Sequence, residues 1–404
     1  MYLTLSWRNL WRNKKRTLIA AASVFLAVLV AVVMRSMQIG SYAYMISSSV
    51  KFYTGYMQVQ GNGYWENRSL NNSITLSEKQ RAEIAQIPHV TSVVPRLEAF
   101  SLVSFGRVTK VAQVTGVDPA TENNMTELKK RLVQGRYLTE SPGGVLIAQG
   151  LADLLHVSVG DSVVLYGQGY HGVIAAAMLP VAGIVKFPIA RMNNTMVFLT
   201  LTNAQDIYST DGRITSLAVM LDDVRNQTDV FNALRSLVGD RYTLMTWEEM
   251  MPDLVQGIAL DNASGLIMLI ILYLVIAFGV FGTVMMMTTE RAKEFGVLIS
   301  VGMKRKRLIW VTTLETIFLA FLGAVSGAVV SLAVITYFHY HPIPITGSAA
   351  SMFELLGVRP IFYFSTDPGL LINQALVVLL ITLATALYPL FFIKRLQPVQ
   401  AMHG

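Results

Sequence analysis

The stretch ERAKEFGVLISVGMKRKR, residues 290–307, lies between two long uncharged runs, 265–289 and 308–338, of which the second is interrupted only by Glu315. A helix needs about 20 apolar residues to cross a bilayer, so both runs are long enough to span it. The stretch between them is therefore predicted to be a loop at one membrane face.

This loop also has the pattern of a short helix that stops abruptly. Glu290 and Glu294 are four residues apart, as are Phe295 and Ile299, which is the spacing of neighbours on a helix surface. Gly302 then interrupts the pattern before a run of basic residues. Two interpretations remain open: a basic loop that only fixes membrane topology, or a short cytoplasmic helix presented to a soluble partner.

The composition divides the chain between membrane and water. Of its 404 residues, 53% are hydrophobic and 14% are charged, which is too apolar for a soluble globule and too polar for a protein that is membrane throughout. We therefore expect a sizeable water-facing domain beside the spans. The sequence contains no cysteine, which excludes disulfide bonds, thiol catalysis and Cys-ligated metal sites.

The net charge of +7 is concentrated beside the hydrophobic runs. The segments 1–16, 290–308 and 394–404 are strongly basic, whereas the rest of the chain contains more acidic than basic residues. This is the distribution that the positive-inside rule requires, and it leaves no basic face for nucleic acid. All three segments are thus expected on the cytoplasmic side of the membrane.

The first 16 residues have the pattern of an amphipathic helix that lies in the headgroup plane of the membrane. Apolar residues occupy one helical face and cations the opposite face: Leu3, Trp7, Leu10 and Trp11 against Arg8, Arg12 and Lys15. The first span follows, and Arg35 is expected to snorkel to the membrane boundary. A signal peptide is disfavoured, because the basic region is long and amphipathic and Met34-Arg35-Ser36 is a poor cleavage site.

Residues 42–262 contain no spanning run and have the pattern of mixed α and β structure. Ser77 and Gln80 form a capping box that predicts a short helix closed by Pro88, and another helix is predicted from about 226 to 238. Strand composition recurs at 90–97, 111–117, 144–147, 162–165, 196–199 and 217–221. Alternating strands and helices suggest one or two small α/β sub-domains. The histidines lie far apart beside turns, so no metal or catalytic site is expected here.

The third span carries two features that concern helix packing. Gly323 and Gly327 are four residues apart, a spacing that permits the close approach of another helix. Glu315 lies inside the span, where an unpaired carboxylate is costly, so it is expected to face protein or water. It could hold a helix interface together, which we favour, or it could belong to a coupling path.

The predicted fold class is a membrane α-helical protein with four transmembrane helices and a large α/β extracytoplasmic domain between helices 1 and 2. In chain order the segments are a cytoplasmic amphipathic helix (1–16), helix 1 (17–41), the extracytoplasmic domain (42–262), helix 2 (263–289), a cytoplasmic coupling helix (290–307), helix 3 (308–338), an extracytoplasmic loop (339–369), helix 4 (370–393) and a cytoplasmic tail (394–404). With four spans, both termini are expected in the cytoplasm.

This arrangement and several motifs resemble the FtsX/MacB-type permeases of ABC transporters. The sequence Glu290-Arg291-x-x-Glu294-Phe295-Gly296, followed by Ser300-x-Gly302-Met303, is similar to the cytoplasmic coupling segment of that family. The tail Pro398-Val399-Gln400-Ala401-Met402 is similar to its Pro-x-x-Ala ending. In the outer domain, Gly116-Val117-Asp118-Pro119 and Val159-Gly160-Asp161-Ser162-Val163 look like phrases of the lipoprotein-releasing (LolC/LolE-like) permeases, which have a MacB-like periplasmic core.

The resemblance implies a permease subunit that works by mechanotransmission. Two copies of a separate ATPase would bind ATP and Mg and push on the coupling segment, and the spans would transmit this motion to the outer domains. The chain has no Gly-x-x-x-x-Gly-Lys-Ser/Thr motif to hold ATP phosphates, so we do not expect it to be an enzyme or to bind a cofactor itself. The residues implied in ATPase coupling are Glu290, Arg291, Glu294, Phe295, Gly296, Gly302 and Met303.

The resemblance also implies a cargo and a location. Lipoprotein-releasing permeases lift lipoproteins out of the bacterial inner membrane and hand them to a periplasmic carrier, and each works beside a second permease copy or a paralogue. The loop 186–191 falls where related permeases carry a protruding loop. The candidate contacts for carrier or substrate are Phe187, Pro188 and Ile189, together with Met34 and Met37 on the first span.

Two other functions remain open at this point. An efflux permease would move peptides, toxins or drugs that are already in the periplasm. An FtsX-like protein would instead regulate a cell-wall hydrolase, although its outer domain would usually be smaller. In every case the partners include membrane lipids and exclude nucleic acid.

Overall fold

The computed structural model describes residues 6–8, 11–12, 14–139, 143–347, 350 and 360–397, and for Arg16 it describes the backbone alone. Leu3, Leu10 and the tail motif 398–402 lie outside the described residues. The chain forms two compact units. The membrane unit comprises Met1–Tyr44, Gly257–Pro344 and Ile361–Gly404, and the sheet unit comprises Met45–Gln256 and Ile345–Pro360.

Helical turns at 6–8 and 11–12 precede the first long helix. The helices are α1 (Lys14–Ser49), α2 (Glu78–Ala85), α3 (Pro119–Thr126), α4 (Gln149–Leu155), α5 (Ala190–Thr195), α6 (Leu201–Tyr208), α7 (Gln227–Val238), α8 (Trp247–Met250), α9 (Pro252–Glu290), α10 (Ala292–Ser300), α11 (Arg305–Tyr340), α12 (Pro368–Thr385) and α13 (Leu387–Arg395). The strands are β1 (Met57–Gln60), β2 (Val90–Phe105), β3 (Val108–Val117), β4 (Leu132–Gly135), β5 (Val145–Ala148), β6 (Ser162–Gln168), β7 (Ile174–Val185), β8 (Met196–Thr200), β9 (Ser216–Leu221), β10 (Thr243–Thr246), β11 (Ile343–Pro344) and β12 (Ile361–Phe362).

Four helical segments of the described chain are long and apolar enough to cross a membrane: Thr17–Thr54, Pro252–Glu290, Arg305–Tyr340 and Pro368–Arg395. They confirm the four predicted spans. Two helices extend further than predicted, since α1 runs past residue 41 to Ser49 and α9 begins at Pro252 instead of residue 263. Apolar length marks only the part of a helix that can lie in lipid, and polar residues beyond it can continue the same helix.

The fourth span, Pro368–Arg395, covers the predicted helix 370–393 and is interrupted by a single turn. α12 ends at Thr385 and α13 begins at Leu387, with Ala386 between them. Pro389 lies in the first turn of α13, where a backbone N–H would have no partner within the helix. A continuous helix would need that N–H, so the proline accounts for the break.

α1 and α11 approach each other closely at the two glycines of the third span. A Cβ atom at Gly323 would lie 2.6 Å from Cβ of Val24, and one at Gly327 would lie 2.8 Å from the carbonyl oxygen of Phe25. No larger side chain fits at either position unless α1 moves. The two glycines therefore permit the close helix approach that their spacing predicts. Around this crossing, buried side chains from all four spans form one core: Val24, Val28, Val284, Leu319 and Val378.

The sheet unit is built on a ten-stranded mixed sheet in the order β10-β1-β9-β2-β3-β8-β5-β7-β4, in which β6 pairs with β2 and β7. The first part of the long strand β2 pairs with β9 and its later part with β6, while β3 runs antiparallel along its other edge. Three hydrophobic cores lie on this sheet: one with residues of β1, β9 and α7, one with residues of β5, β8, α4 and α6, and one with residues of β5, β7, β8 and α5. The predicted α/β sub-domains thus share a single sheet.

The helix signals predicted for this unit are present. The Ser77 hydroxyl accepts a hydrogen bond from the backbone N–H of Gln80, and the reciprocal bond completes the capping box of α2. α7 ends at Gly239, whose φ of 61° lies in the left-handed region that glycine tolerates.

A buried ion pair joins β2 to α3. The guanidinium of Arg96 donates to both carboxylate oxygens of Glu122, at 2.8 Å from Nε and 2.6 Å from Nη2. The side chains are 3% and 0% exposed. Such a pair adds little net stability, but the loss of one partner leaves an uncompensated buried charge.

Candidate functional site

The coupling segment forms a short helix that depends on its neighbours. α10 contains nine residues, which is too short for a stable helix in isolation. It is closed by Gly302, whose φ of 103° is strained for any residue with a side chain. The predicted helix and its stop are therefore both observed, and contacts with the membrane unit must hold the helix in place.

Phe295 is the main apolar contact that holds α10. Its side chain is 1% exposed and packs in a cluster with Leu308 at the start of α11 and Ile393 in α13. Ile299 and Met303 are partly buried against the same cluster. Phe295 therefore points into the protein, and it cannot be the apolar anchor offered to a partner.

A charged network holds the start of the same segment. The guanidinium of Arg291 donates a hydrogen bond to the Glu315 carboxylate inside the third span, and their side chains are only 14% and 8% exposed. Arg291 also lies 3.3 Å from a Glu294 carboxylate oxygen, and its guanidinium carbon lies 5.2 Å from the centre of the Phe295 ring. Glu315 thus faces protein, as expected of a carboxylate inside a span.

The surroundings of Arg291 raise the pKa of its guanidinium group. Burial alone would lower the pKa of Arg291, whereas the negative charge of Glu315 and the hydrogen bond to it raise that pKa above its usual value. The ion pair of Arg291 with Glu315 joins the coupling segment to α11.

The N-terminal segment contacts this region as well. Arg12 donates a hydrogen bond to the Glu294 carboxylate at 2.7 Å, and the Ser6 hydroxyl lies 3.2 Å from the carbonyl oxygen of Val311. The rings of Trp7 and Phe318 meet edge to face with centroids 5.8 Å apart. The described part of the predicted amphipathic segment is therefore helical and packs against α11, so Glu294 already has partners within the chain.

The end of the fourth span is held by Arg305. Its two terminal nitrogens donate to the carbonyl oxygens of Lys394 at 2.5 Å and Leu396 at 2.8 Å. The last carbonyl groups of a helix have no partner within it, so Arg305 satisfies groups that α13 leaves open. Gly296 is buried in α10.

The outward face of α10 carries apolar residues that the motif comparison does not single out. Val297, Leu298 and Val301 are 49%, 42% and 83% exposed. Lys293 and Glu290 are exposed beside them. The spacing of Val297 and Val301, four residues apart, is the signal in the sequence that could have identified this face.

The loop after β7 differs from the expected contact site. The Phe187 side chain is 3% exposed and stacks on Phe198 with ring centroids 5.8 Å apart, so it belongs to the core of the sheet unit. Pro188 is exposed and Ile189 is half-buried. The carrier contact expected of Phe187 is corrected accordingly, and only the other two residues offer side chains to a partner.

The polar residues near the outer part of α1 join it to α9. Arg35 donates to the Gln38 side chain at 2.6 Å and to the Asn262 side chain at 2.8 Å. Arg35 is thus held between two helices. Met34 and Met37 are half-buried on α1, and Met37 packs against the core of the membrane unit.

The sheet unit exposes a large apolar surface that the sequence analysis missed. Outward-facing residues of four adjacent strands form it, and we call it the apolar sheet face: Phe100, Leu102, Val111, Val164, Tyr166, Ile174 and Met178. Leu102 lies directly opposite Val111 on β3 and Tyr166 on β6, and Val164 lies opposite Met178 on β7. A contiguous exposed apolar surface of this kind marks an interaction site.

The described residues contain no group of His, Asp and Glu side chains that could hold a metal ion. The features with functional potential are therefore the outward face of α10 and the apolar sheet face.

Comparisons with known proteins place both units in families. Residues 17–237 match the family model of the MacB-like periplasmic core domain, and residues 266–398 match that of the FtsX-like permease C-terminal region. The chain is 23% identical to the lipoprotein-releasing system transmembrane protein LolC of Neisseria meningitidis, over 84% of this chain and 83% of that protein. It is 22% identical to LolE of Haemophilus influenzae over 79% of each chain.

Similarity also extends to export proteins and to a solved structure. The pyoverdine export ATP-binding/permease protein PvdT of Pseudomonas fluorescens is 22% identical, over 81% of this chain and 51% of that protein. The crystal structure of the periplasmic region of MacB from Actinobacillus actinomycetemcomitans matches with a TM-score of 0.37 and 19% identity, over 50% of this chain and 94% of that one.

Proposed function

Because the chain belongs to the FtsX/MacB-type permeases of ABC transporters, we propose that it couples ATP hydrolysis by a separate ATPase to the release of lipoproteins from the bacterial inner membrane. The released lipoprotein passes to a periplasmic carrier. The observation that carries this proposal is the structure of α10. Its outward face exposes apolar and charged residues, and its inward face packs against the spans through Phe295.

The attachment of α10 suits a helix that transmits force. Phe295 joins it to α11 and α13, and Arg291 joins its start to Glu315 within α11. A displacement of α10 by a bound ATPase would therefore move the inner ends of two spans. Packed side chains of this kind shift as units, because protein interiors deform little.

The outward face of α10 suits a groove on the ATPase. Val297, Leu298 and Val301 would supply buried apolar area, and Lys293 and Glu290 would supply polar contacts at its rim. In this proposal two ATPase copies bind ATP and Mg, and each docks on the α10 of one permease, either two copies of this chain or this chain with a paralogue.

The orientation in this proposal follows from charge. Basic residues cluster in the N-terminal segment, in 290–307 and after α13, so these regions lie in the cytoplasm and the sheet unit lies in the periplasm. The apolar sheet face is then available to a periplasmic carrier or to the lipoprotein itself.

Lipoprotein release is favoured over export by the relatives named LolC and LolE, which match most of their own length. The relative named as a pyoverdine export protein supports the second candidate, an efflux permease for peptides, toxins or drugs in the periplasm. No particular feature of the described residues favours a regulator of a cell-wall hydrolase.

The function is tested by depleting the protein in its own cells and separating inner from outer membranes on a density gradient. We expect outer-membrane lipoproteins to accumulate in the inner membrane. Normal lipoprotein sorting together with altered tolerance to drugs or peptides would refute lipoprotein release and favour efflux.

The docking site is tested by replacing both Leu298 and Val301 with Asp. This variant should no longer co-purify with its ATPase, because two carboxylates would be buried without partners. Val111→Asp, which changes another exposed apolar residue on the sheet unit, serves as the control. Undiminished co-purification of the double variant would show that the ATPase binds elsewhere.

A further inference from the structure

We propose that a groove on the membrane unit binds one anionic phospholipid, with its phosphate at Lys14 and an acyl chain along α1. The groove is lined on one side by the start of α1 and on the other by α11, where Leu322 and Ser326 form its wall. The proposal is independent of the transported cargo, since it rests on the placement of α1 and α11 in a membrane alone.

The groove has the length of one lipid. On α1 its lining runs from Lys14 to Phe25, and these residues are separated by about 16 Å along the helix axis. One leaflet contributes about 15 Å of hydrocarbon. A phospholipid with its headgroup at Lys14 would therefore reach the far end of the groove with its acyl chain.

Small side chains create the space for an acyl chain. Ala21 and Ala22 line the groove between the bulkier Trp11, Phe25 and Leu322. The lining is almost entirely carbon along this part, so water would gain few hydrogen bonds there, whereas a lipid tail fits by shape and polarity. The close crossing at Gly323 and Gly327 keeps α11 beside α1 and so maintains the wall of the groove.

The positive charge of Lys14 favours an anionic headgroup at this end of the groove. Arg12 is engaged by Glu294 at 2.7 Å, whereas Lys14 is exposed and forms no ion pair with any residue that the structure describes. Lys14 lines the groove at its headgroup end, next to Trp11. A lysine ammonium is a compact charge well suited to a phosphate, and tryptophan favours the membrane boundary. The groove therefore matches an anionic lipid better than a zwitterionic one.

The test is native mass spectrometry of the full chain in detergent with equal amounts of phosphatidylglycerol and phosphatidylcholine. We expect the unmodified protein to retain phosphatidylglycerol about five-fold better, since one lysine near a membrane surface favours an anionic lipid by roughly this factor. Lys14→Gln should abolish the preference, and Lys15→Gln should keep it, because Lys15 is exposed but does not line the groove.

The shape of the site is tested by filling it. Ala22→Phe should lose the retained lipid, and Ala22→Cys labelled with a bulky maleimide after purification should do the same without any demand on folding, since the chain has no other cysteine. Equal effects of the two lysine substitutions, or lipid retention in the filled proteins, would overturn the proposal. Efficient disulfide cross-linking of Ala22→Cys between chains in vesicles would also overturn it, because a second copy would then occupy the groove.

Discussion

Replacing Phe295 with alanine should release the coupling helix α10 while the membrane unit stays folded. Phe295 is 1% exposed and is the fully buried α10 side chain in the cluster with Leu308 and Ile393. The other attachments are the ion pairs at the start of the segment and the partly buried Ile299. Without the phenyl ring, the helix would lose its central apolar contact.

The size of the effect follows from burial. Removal of a fully buried phenylalanine side chain typically costs about 3–5 kcal/mol, because apolar contacts are lost and a cavity remains. The loss of the Arg291 ring contact at 5.2 Å belongs to the same substitution. Since each 1.4 kcal/mol is a factor of ten, the population of the undocked helix should rise by about 100-fold or more. A helix of nine residues then unfolds, because it is unstable when isolated.

Limited trypsin digestion of the purified protein measures this opening. Lys293 is exposed but lies within α10, so cleavage after it requires local unfolding of the helix. The fragment that ends at Lys293 is quantified by mass spectrometry over time, and its rate of appearance should rise about 100-fold in Phe295→Ala. The global melting temperature is recorded in parallel to separate local from global unfolding.

Val297→Ala is the matched control, since Val297 lies in the same helix and is 49% exposed. Its cleavage rate should stay within a few-fold of the unmodified protein, because little buried area is lost. Equal cleavage rates in the two variants, or an unchanged rate in Phe295→Ala, would refute the view that Phe295 holds α10 in place.

Three further substitutions test other contacts. Gly327→Leu should destabilise the purified protein by about 1–3 kcal/mol in thermal melting, because its side chain would collide with α1. Gly282→Leu is the control, since open space surrounds that position, and similar melting of both variants would contradict the packing argument. Arg96→Gln should lower the free energy of unfolding by about 3–5 kcal/mol, which hydrogen exchange of the β2 amides measures. Arg225→Gln is its control, because the Arg225 side chain is 84% exposed, and it should leave this exchange unchanged. Glu294→Lys should reduce the lipoprotein released per ATP hydrolysed, because a cation would replace the partner of two arginines; normal release would argue against a role for this carboxylate.

The spans could be predicted from sequence because membrane insertion depends on apolar length, which a sequence displays directly. The ends of the helices could not, since the segment from Pro252 to Asn262 continues α9 although Asp253, Gln256 and Asp261 interrupt its apolar run. The break at Ala386 is a similar case, because Pro389 is compatible with both a helix start and a kinked helix. Local backbone choices at these points depend on tertiary packing.

In the sheet unit, elements with a strong local sequence signal could be predicted, whereas features without such a signal could not. The capping box at Ser77 identified α2 correctly because its hydrogen bonds are formed by neighbours in sequence. The hairpin of β2 and β3 extends through residues 98–110, and the turn at Gly106 connects the strands. Phe100 and Leu102 face solvent, whereas Ser101 between them is buried. Because polar and apolar residues occur on both faces of β2, polarity alone does not reveal the apolar sheet face.

At the coupling segment, the motif identified the helix but not the direction of its side chains. Phe295 and Arg291 point inward, and Val297, Leu298 and Val301 point outward. Helical spacing alone does not tell which of two apolar faces meets the protein, because α10 carries both. The buried carboxylate of Glu315 determines which face of α10 points inward, because its bond with Arg291 places that residue against α11.

The interruption at Ala386 makes the two spans attached to the coupling helix mechanically unequal. α11 is one continuous helix of 36 residues, so it behaves as a stiff rod that carries a displacement of its inner end over its whole length. α13 is fastened to the start of α11 through Arg305 and meets α12 at the interruption. A displacement of α11 would therefore reach α12 directly, through the core that contains Leu319 and Val378, as well as through α13.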